Sequence, residues 1–165
     1  MTCRQTPPRQ WLVADERLGD GLWRALRRLP RGSGVLVLYP ELSKGERDRM
    51  LARLRRLASG RGLLIVDEAE GSAARVHDLR ELRAAQLSVV RLVFLSPLFP
   101  TRSHPDWKPL SRMKAAAMAR LSRVPVIALG GMNARRFRQI AGLGFSGWAG
   151  IDAYKHLSHA VRGHS

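Results

Sequence analysis

The chain has a single cysteine, Cys3, among its 165 residues. One thiol excludes a disulfide framework and any cysteine-rich metal site, and it fits a reducing cytoplasm. Long apolar runs are missing too. None approaches the roughly 18 residues of a membrane span, so no membrane partner is expected. The stretch Met1 to Gln10 is basic, contains proline and lacks an apolar signal core, so no export signal is expected. Acidic residues are few, 13 against 29 basic ones, for a formal net charge of +16. Lysine is also scarce, restricted to Lys44, Lys108, Lys114 and Lys155, so the excess is arginine. Such a charge attracts polyanions. The arginines nevertheless scatter over nearly every predicted helix without a nucleic-acid motif, which favours solvated helix faces over a nucleic-acid partner. A P-loop, a G-x-G-x-x-G after the first strand and a serine nucleophile elbow are all absent.

What is present suits one packed domain. Hydrophobic content is 45%, enough for a core, and the length leaves little room for two. Residues 1–9 read as a flexible N-terminus, 10–155 as the domain and 156–165 as a frayed tail in which His156, His159 and His164 are solvated. Short apolar runs at Gln10 to Asp15, Gly34 to Tyr39, Leu63 to Val66, Arg91 to Leu95 and Val126 to Leu129 read as buried strands. A last strand ends in Trp148-Ala-Gly-Ile-Asp152, and Ala73 to Val76 reads as a stub of strand. Helices are predicted over Leu18 to Leu29, from the Ser43 cap with its Glu46 capping box to Ala58, from the Asp78 cap to Gln86, and from Ser111 to Leu121. Arg49, Arg53 and Arg56 line one face of the second, read as a solvated stripe with a polyanion track as the alternative. Strands alternating with helices imply a parallel sheet, either doubly wound or closed into a (βα) barrel.

In parallel α/β folds chemistry sits at the C-terminal ends of the strands. Asp15, Tyr39, Asp67, His77, Ser96, Thr101, Gly131 and Asp152 fall there. Three carboxylates and a histidine on one rim could take a divalent cation or a cationic substrate. The loop Ser96-Pro-Leu-Phe-Pro-Thr-Arg-Ser-His-Pro105 offers the hydroxyls of Thr101 and Ser103 beside His104, a set that can wrap phosphate oxygens, and its prolines restrict it. Gly130 and Gly131 allow a sharp turn or a close ligand approach, and Asn133 can cap the helix after them, aiming its amides back at the glycines.

Three stretches resemble the thiamine phosphate synthase and thiazole tautomerase family. They are Phe94-Leu-Ser-Pro-Leu-Phe-Pro-Thr-Arg-Ser-His104, Val124-Pro-Val-Ile-Ala-Leu-Gly-Gly-Met132 and Gly144-Phe-Ser-Gly-Trp-Ala-Gly-Ile-Asp-Ala-Tyr154. The family patterns they resemble are G-P-[IV]-F-x-T-x-T-K, [AI]-[IL]-G-G-I and G-[VA]-x-V-[VI]-S-A-I. The likeness is good over residues 72–154, where His77 falls at the family's strand-5 histidine, and faint over 10–67.

The resemblance implies a TIM-type (βα) barrel and a magnesium-dependent coupling of a pyrimidine pyrophosphate to a thiazole phosphate, with release of pyrophosphate. By position, it implies that Thr101, Ser103 and His104 meet pyrophosphate, that Gly131 and Ile151 meet the thiazole phosphate, and that Asp67 binds magnesium. The chain also departs from the family. His104 replaces a lysine, Asp152 replaces a serine, and the Gln-x-Arg-x-Lys at the end of strand 2 has no counterpart between Leu36 and Ser43. Arg75, at a family serine, could return one positive charge. Only residues 68–74 separate Asp67 from Arg75, where the family has roughly thirty more, about one βα unit. The expectation is therefore a barrel of about seven parallel strands short of one unit, whose exposed edge a second copy could seal as a homo-oligomer. Small phosphorylated substrates are the expected partners. A non-catalytic phosphate-ligand binder of the same fold is the second reading, and a charge-driven nucleic-acid binder the third.

Overall fold

A computed structural model describes residues 6–101 and 105–151. Seven strands run through it: β1 (Gln10–Asp15), β2 (Gly34–Leu38), β3 (Leu64–Asp67), β4 (Ala73–Val76), β5 (Leu92–Leu95), β6 (Val126–Ala128) and β7 (Gly147–Gly150). Five α-helices accompany them: α1 (Gly21–Arg28), α2 (Lys44–Ser59), α3 (Leu79–Gln86), α4 (Arg112–Leu121) and α5 (Ala134–Ile140). Every strand pair is parallel. The order is β3-β2-β1-β7-β6-β5-β4, so the first strand pairs with the last.

Two apolar layers decide between the barrel and the doubly wound sheet. Alternate strand residues point to opposite faces. Leu12, Ala14, Val35 and Val93 join the helices in one core. Trp11, Val13, Leu36, Val66, Ala73, Leu92, Phe94, Ile127 and Ala149 form a second core made of strand residues alone. A doubly wound sheet carries helices on both faces. Here one face packs on itself, which is a barrel interior.

Trp11 and Phe94 fill it edge to face, with ring centroids 5.3 Å apart. Such a pair contributes about 0.5–1.5 kcal/mol beyond its buried area. Gly34 makes room for the indole, since a Cβ there would lie 2.1 Å from it.

The ladder stops between β3 and β4. Parallel neighbours ordinarily need a crossover of a dozen or more residues, yet residues 68–72 join these two without a helix. Side chains bridge the seam instead. Ser72 Oγ accepts from the Asp67 amide at 3.0 Å and donates to the Asp67 carbonyl at 3.0 Å. The Ser72 amide donates to that same carbonyl at 3.3 Å. The Arg75 amide donates to Glu68 Oε1 at 3.1 Å. The shortened seven-strand barrel expected from the missing segment is the observed architecture, left open where the segment is missing.

Three local expectations change. Ala73–Val76 is a full strand, because β5 pairs with all four residues. The helix expected over Leu18 to Leu29 is split: a 3-10 turn covers Glu16–Leu18, Gly19 turns with φ +45°, and α1 starts at Gly21. Pro8 and Arg9, assigned to the flexible N-terminus, are tied down. The Pro8 carbonyl accepts from Trp11 Nε1 at 2.6 Å and the Arg9 carbonyl from the Trp148 amide at 3.0 Å. Cys3 and the 156–165 tail lie outside the described residues, among which no helix is long and apolar enough to cross a membrane.

Candidate functional site

A cavity of about 520 Å³ opens at the C-terminal ends of the strands. Strand ends such as Val13, Leu38, Arg75 and Ala149 line it below, and segments just past the strands add the rest: Arg17 after β1, His77 after β4, the Ser96–Thr101 loop after β5, Gly130 to Arg136 after β6, and Ile151 after β7. The cavity thus gathers Thr101, Gly131, Ile151, Arg75 and His77 from the sequence-derived candidates. Ser103, His104 and Asp152 lie outside the described residues. Asp15 and Asp67 do not line it.

The glycine pair serves the turn and the loop above it. Gly130 and Gly131 have φ of +89° and +61°, a region that L side chains rarely adopt. The Pro97–Pro100 segment lies directly on them. Leu98 and Phe99 amides donate to the Leu129 and Gly130 carbonyls at 3.0 and 3.1 Å. A Cβ would come within 2.8 Å of Pro97 Cα at Gly130 and within 2.5 Å of the Pro100 carbonyl oxygen at Gly131. The absent side chains therefore let the proline loop seat on the glycine turn. Asn133 caps α5 as expected, its Oδ1 accepting from the Arg136 amide at 2.8 Å. That helix has only seven residues, so its dipole adds little.

Among the described residues three guanidiniums line the cavity: Arg17, Arg75 and Arg136. Arg17 Nε donates to Asp15 at 2.8 Å, and Nη2 pairs with the same carboxylate. Asp15 also accepts the Arg17 amide at 3.0 Å, so it is a turn cap with a cation on it. Arg75 Nη2 lies 2.9 Å from Glu68 Oε2, so the positive charge expected from Arg75 is already balanced. Arg136 donates to the Gly131 carbonyl, and its guanidinium carbon lies 5.1 Å from the Phe99 ring centroid. Arg17 and Arg136 were not legible as site residues, because nothing distinguishes them among 29 basic residues in the chain.

Around His77, the backbone amide donates to Glu81 Oε2 at 2.7 Å, and ring Nδ1 lies 2.9 Å from the same oxygen. The imidazole meets the Trp107 indole edge to face, with centroids 5.2 Å apart. Trp107, missed by sequence reasoning, gives the cavity an aromatic wall. Tyr39 is held away from chemistry. Its hydroxyl donates to the Asp15 carbonyl at 2.9 Å, and burial, with Asp15 and Glu16 adding, pushes its pKa up to about 12.

Asp67 corrects the magnesium expectation. Its oxygens lie 2.8 and 2.7 Å from Arg47 Nη1, its Oδ1 accepts the Ala69 amide at 2.9 Å, and its side chain is 1% exposed. Arg47 Nη2 also donates to the Tyr39 carbonyl. A guanidinium already pairs with the Asp67 carboxylate, and the adjacent carboxylate, Glu68, pairs with Arg75. The donor set does not fit a divalent cation. Among the described residues, which do not include Asp152, no group of three His, Cys, Asp or Glu could hold a metal.

Fold and rim together define a (βα)-barrel protein with its candidate site at the C-terminal ends of the strands. The profile of the thiamine monophosphate synthase family matches residues 73–154, and the chain belongs to that family. It is 34% identical over 91 residues to a thiamine-phosphate synthase of Latilactobacillus sakei, covering 52% of this chain and 41% of that one. It is 33% identical over 86 residues to a thiamine-phosphate synthase of Anoxybacillus flavithermus, covering 51% and 40%. A putative thiamine-phosphate synthase 2 of Aquifex aeolicus is 30% identical over 78 residues, covering 47% and 42%. The matched stretch thus spans about two-fifths of each of these relatives. A solved thiamine phosphate pyrophosphorylase from Pyrococcus furiosus superposes with a TM-score of 0.72 at 18% identity, over 90% of this chain and 87% of that one. At that identity the superposition speaks for the fold.

Proposed function

We propose that the rim cavity binds small phosphorylated ligands of thiamine biosynthesis, and that the protein acts as a thiamine phosphate synthase-like transferase. The observation that carries this reading is the convergence of Thr101, Gly131 and Ile151 on one cavity of about 520 Å³, a size suited to a drug-sized ligand. These are the described positions that the family resemblance ties to the two phosphate groups. In the proposed reaction the thiazole nitrogen attacks the methylene carbon of the pyrimidine pyrophosphate. The C–O bond to pyrophosphate breaks, pyrophosphate leaves with the bonding pair, and thiamine phosphate remains. The Thr101 hydroxyl and the neighbouring Ser103 and His104 would hold the leaving group. Main chain at Gly131 and Ile151 would hold the thiazole phosphate, and Trp107 and His77 would bound the heterocycle. Such catalysis would rest on positioning and charge stabilisation.

Magnesium enters no step of this reading, because Asp67 is taken by Arg47. That same pair favours a second reading, a phosphate-ligand binder without turnover. One experiment separates them. The purified protein is incubated with both substrates, with and without magnesium, and thiamine phosphate and pyrophosphate are quantified. Equimolar formation of the two supports the transferase. No product at high enzyme, while thiazole phosphate or thiamine phosphate still raises Tm, selects the binder. No product and no shift with either ligand would sink both readings. A cytoplasmic location and a homo-oligomer covering the free edges of β3 and β4 accompany this proposal, and light scattering reads the latter.

A further inference from the structure

We infer that Arg136, and not a divalent cation, neutralises the anionic group of the ligand in the rim cavity. The inference rests on the proposed reading that this ligand carries a phosphate. Among the described residues four arginines stand at or beside the site, and three are balanced: Arg17 by Asp15, Arg75 by Glu68 and Arg47 by Asp67. Arg136 has no carboxylate partner among the described residues. It is half-buried and lines the cavity with Thr101 and Gly131.

Its guanidinium is nonetheless held in place. One nitrogen donates to the Gly131 carbonyl, and the plane lies near the face of Phe99. A guanidinium carries five N–H donors in a fixed fork. One bond to Gly131 leaves donors that can pair bidentately with phosphate oxygens. Ordering the fork beforehand lowers the entropy cost of using it. A balanced arginine offers less, because an incoming anion must compete with the carboxylate already on it. The Asp67–Arg47 pair removes the acidic group around which a divalent ion would assemble, so the charge has to come from the chain itself.

The test is calorimetric titration of the whole chain with thiazole phosphate and with the same thiazole as the free alcohol, in EDTA and in magnesium. Wild type is expected to prefer the phosphate form and to bind it equally well in EDTA. Arg136→Gln should weaken phosphate binding about tenfold to hundredfold, the range of hydrogen bonds to charged groups. It should leave alcohol binding unchanged, and Arg136→Lys should recover part of the loss as a point charge without the fork. Unchanged phosphate affinity in Arg136→Gln, with wild-type Tm, would overturn the inference, as would phosphate binding that EDTA abolishes in wild type. No phosphate binding by wild type in either buffer would overturn the proposed function instead. If Arg136→Gln fails to fold, Arg136→Lys and the EDTA comparison still decide.

Discussion

The two sides of the barrel hold together by different means. From β4 through β5, β6, β7, β1 and β2 to β3, neighbours share a parallel main-chain ladder. Between β3 and β4, side chains replace it: Ser72 on Asp67, Arg75 on Glu68, and Arg47 reaching from α2 to Asp67. The laddered side holds the Gly130–Gly131 turn, the proline loop and Arg136, where a cation is left with its capacity for a ligand. At the seam the same residue types are committed to structure. A charge on the rim therefore indicates chemistry only after its partners are counted.

Breaking the seam should have the largest effect. Arg47→Ala leaves the Asp67 carboxylate buried and uncompensated, and should cost about 3–5 kcal/mol in urea denaturation. A loss under about 1 kcal/mol would show that the seam does not depend on this pair. On the laddered side, Gly131→Ala should cost about 1–3 kcal/mol from its left-handed backbone alone, before the contact with Pro100 adds to it. The same variant should loosen the proline loop and weaken thiazole phosphate binding. A wild-type melting curve with wild-type affinity would contradict the seating of one loop on the other. Ser72→Ala should cost about 0.5–1.5 kcal/mol, since it removes one hydroxyl from the bridge and leaves the ion pair. If it costs as much as Arg47→Ala, the hydroxyl rather than the ion pair closes the seam.

Tyr39 gives the smallest effect. Its folded pKa is raised from 10.0 to about 12, so it adds stability below its ordinary value and loses it as pH rises through about 12. Absorbance titration should show a late tyrosinate step that Tyr39→Phe removes. A midpoint near 10.0 would mean that the hydroxyl is not held against Asp15.

The fold was legible because its signals are local. Short apolar runs between capped helices name the strands, and Ser43, Asp78, Ser111 and Asn133 cap as their positions suggest. The seven-strand count followed from the short interval after Asp67. Ala73–Val76 was underrated because its small residues and central arginine give a weak apolar signal, and the partner that makes it a strand, β5, lies beyond α3. The site was half legible. Thr101, Gly131 and Ile151 sit in recognisable motifs. Asp67 was misread because the partner deciding its role, Arg47, stands 20 residues away on α2. Arg136 was missed because an arginine on a short helix resembles every other arginine in the chain. Its meaning comes from the carbonyl and the ring that hold it.

The indole of Trp11, seated on Gly34 and against Phe94, gives the barrel a solid floor. Val13 lines the rim cavity and Trp11 does not, so the space ends above the indole and is a basin, not a tunnel. A ligand held there meets the chain from the rim side and passes the loops that follow the strands. Under the transferase reading, the residues at the lip, Trp107 among them, would then govern turnover as much as those that touch the phosphates.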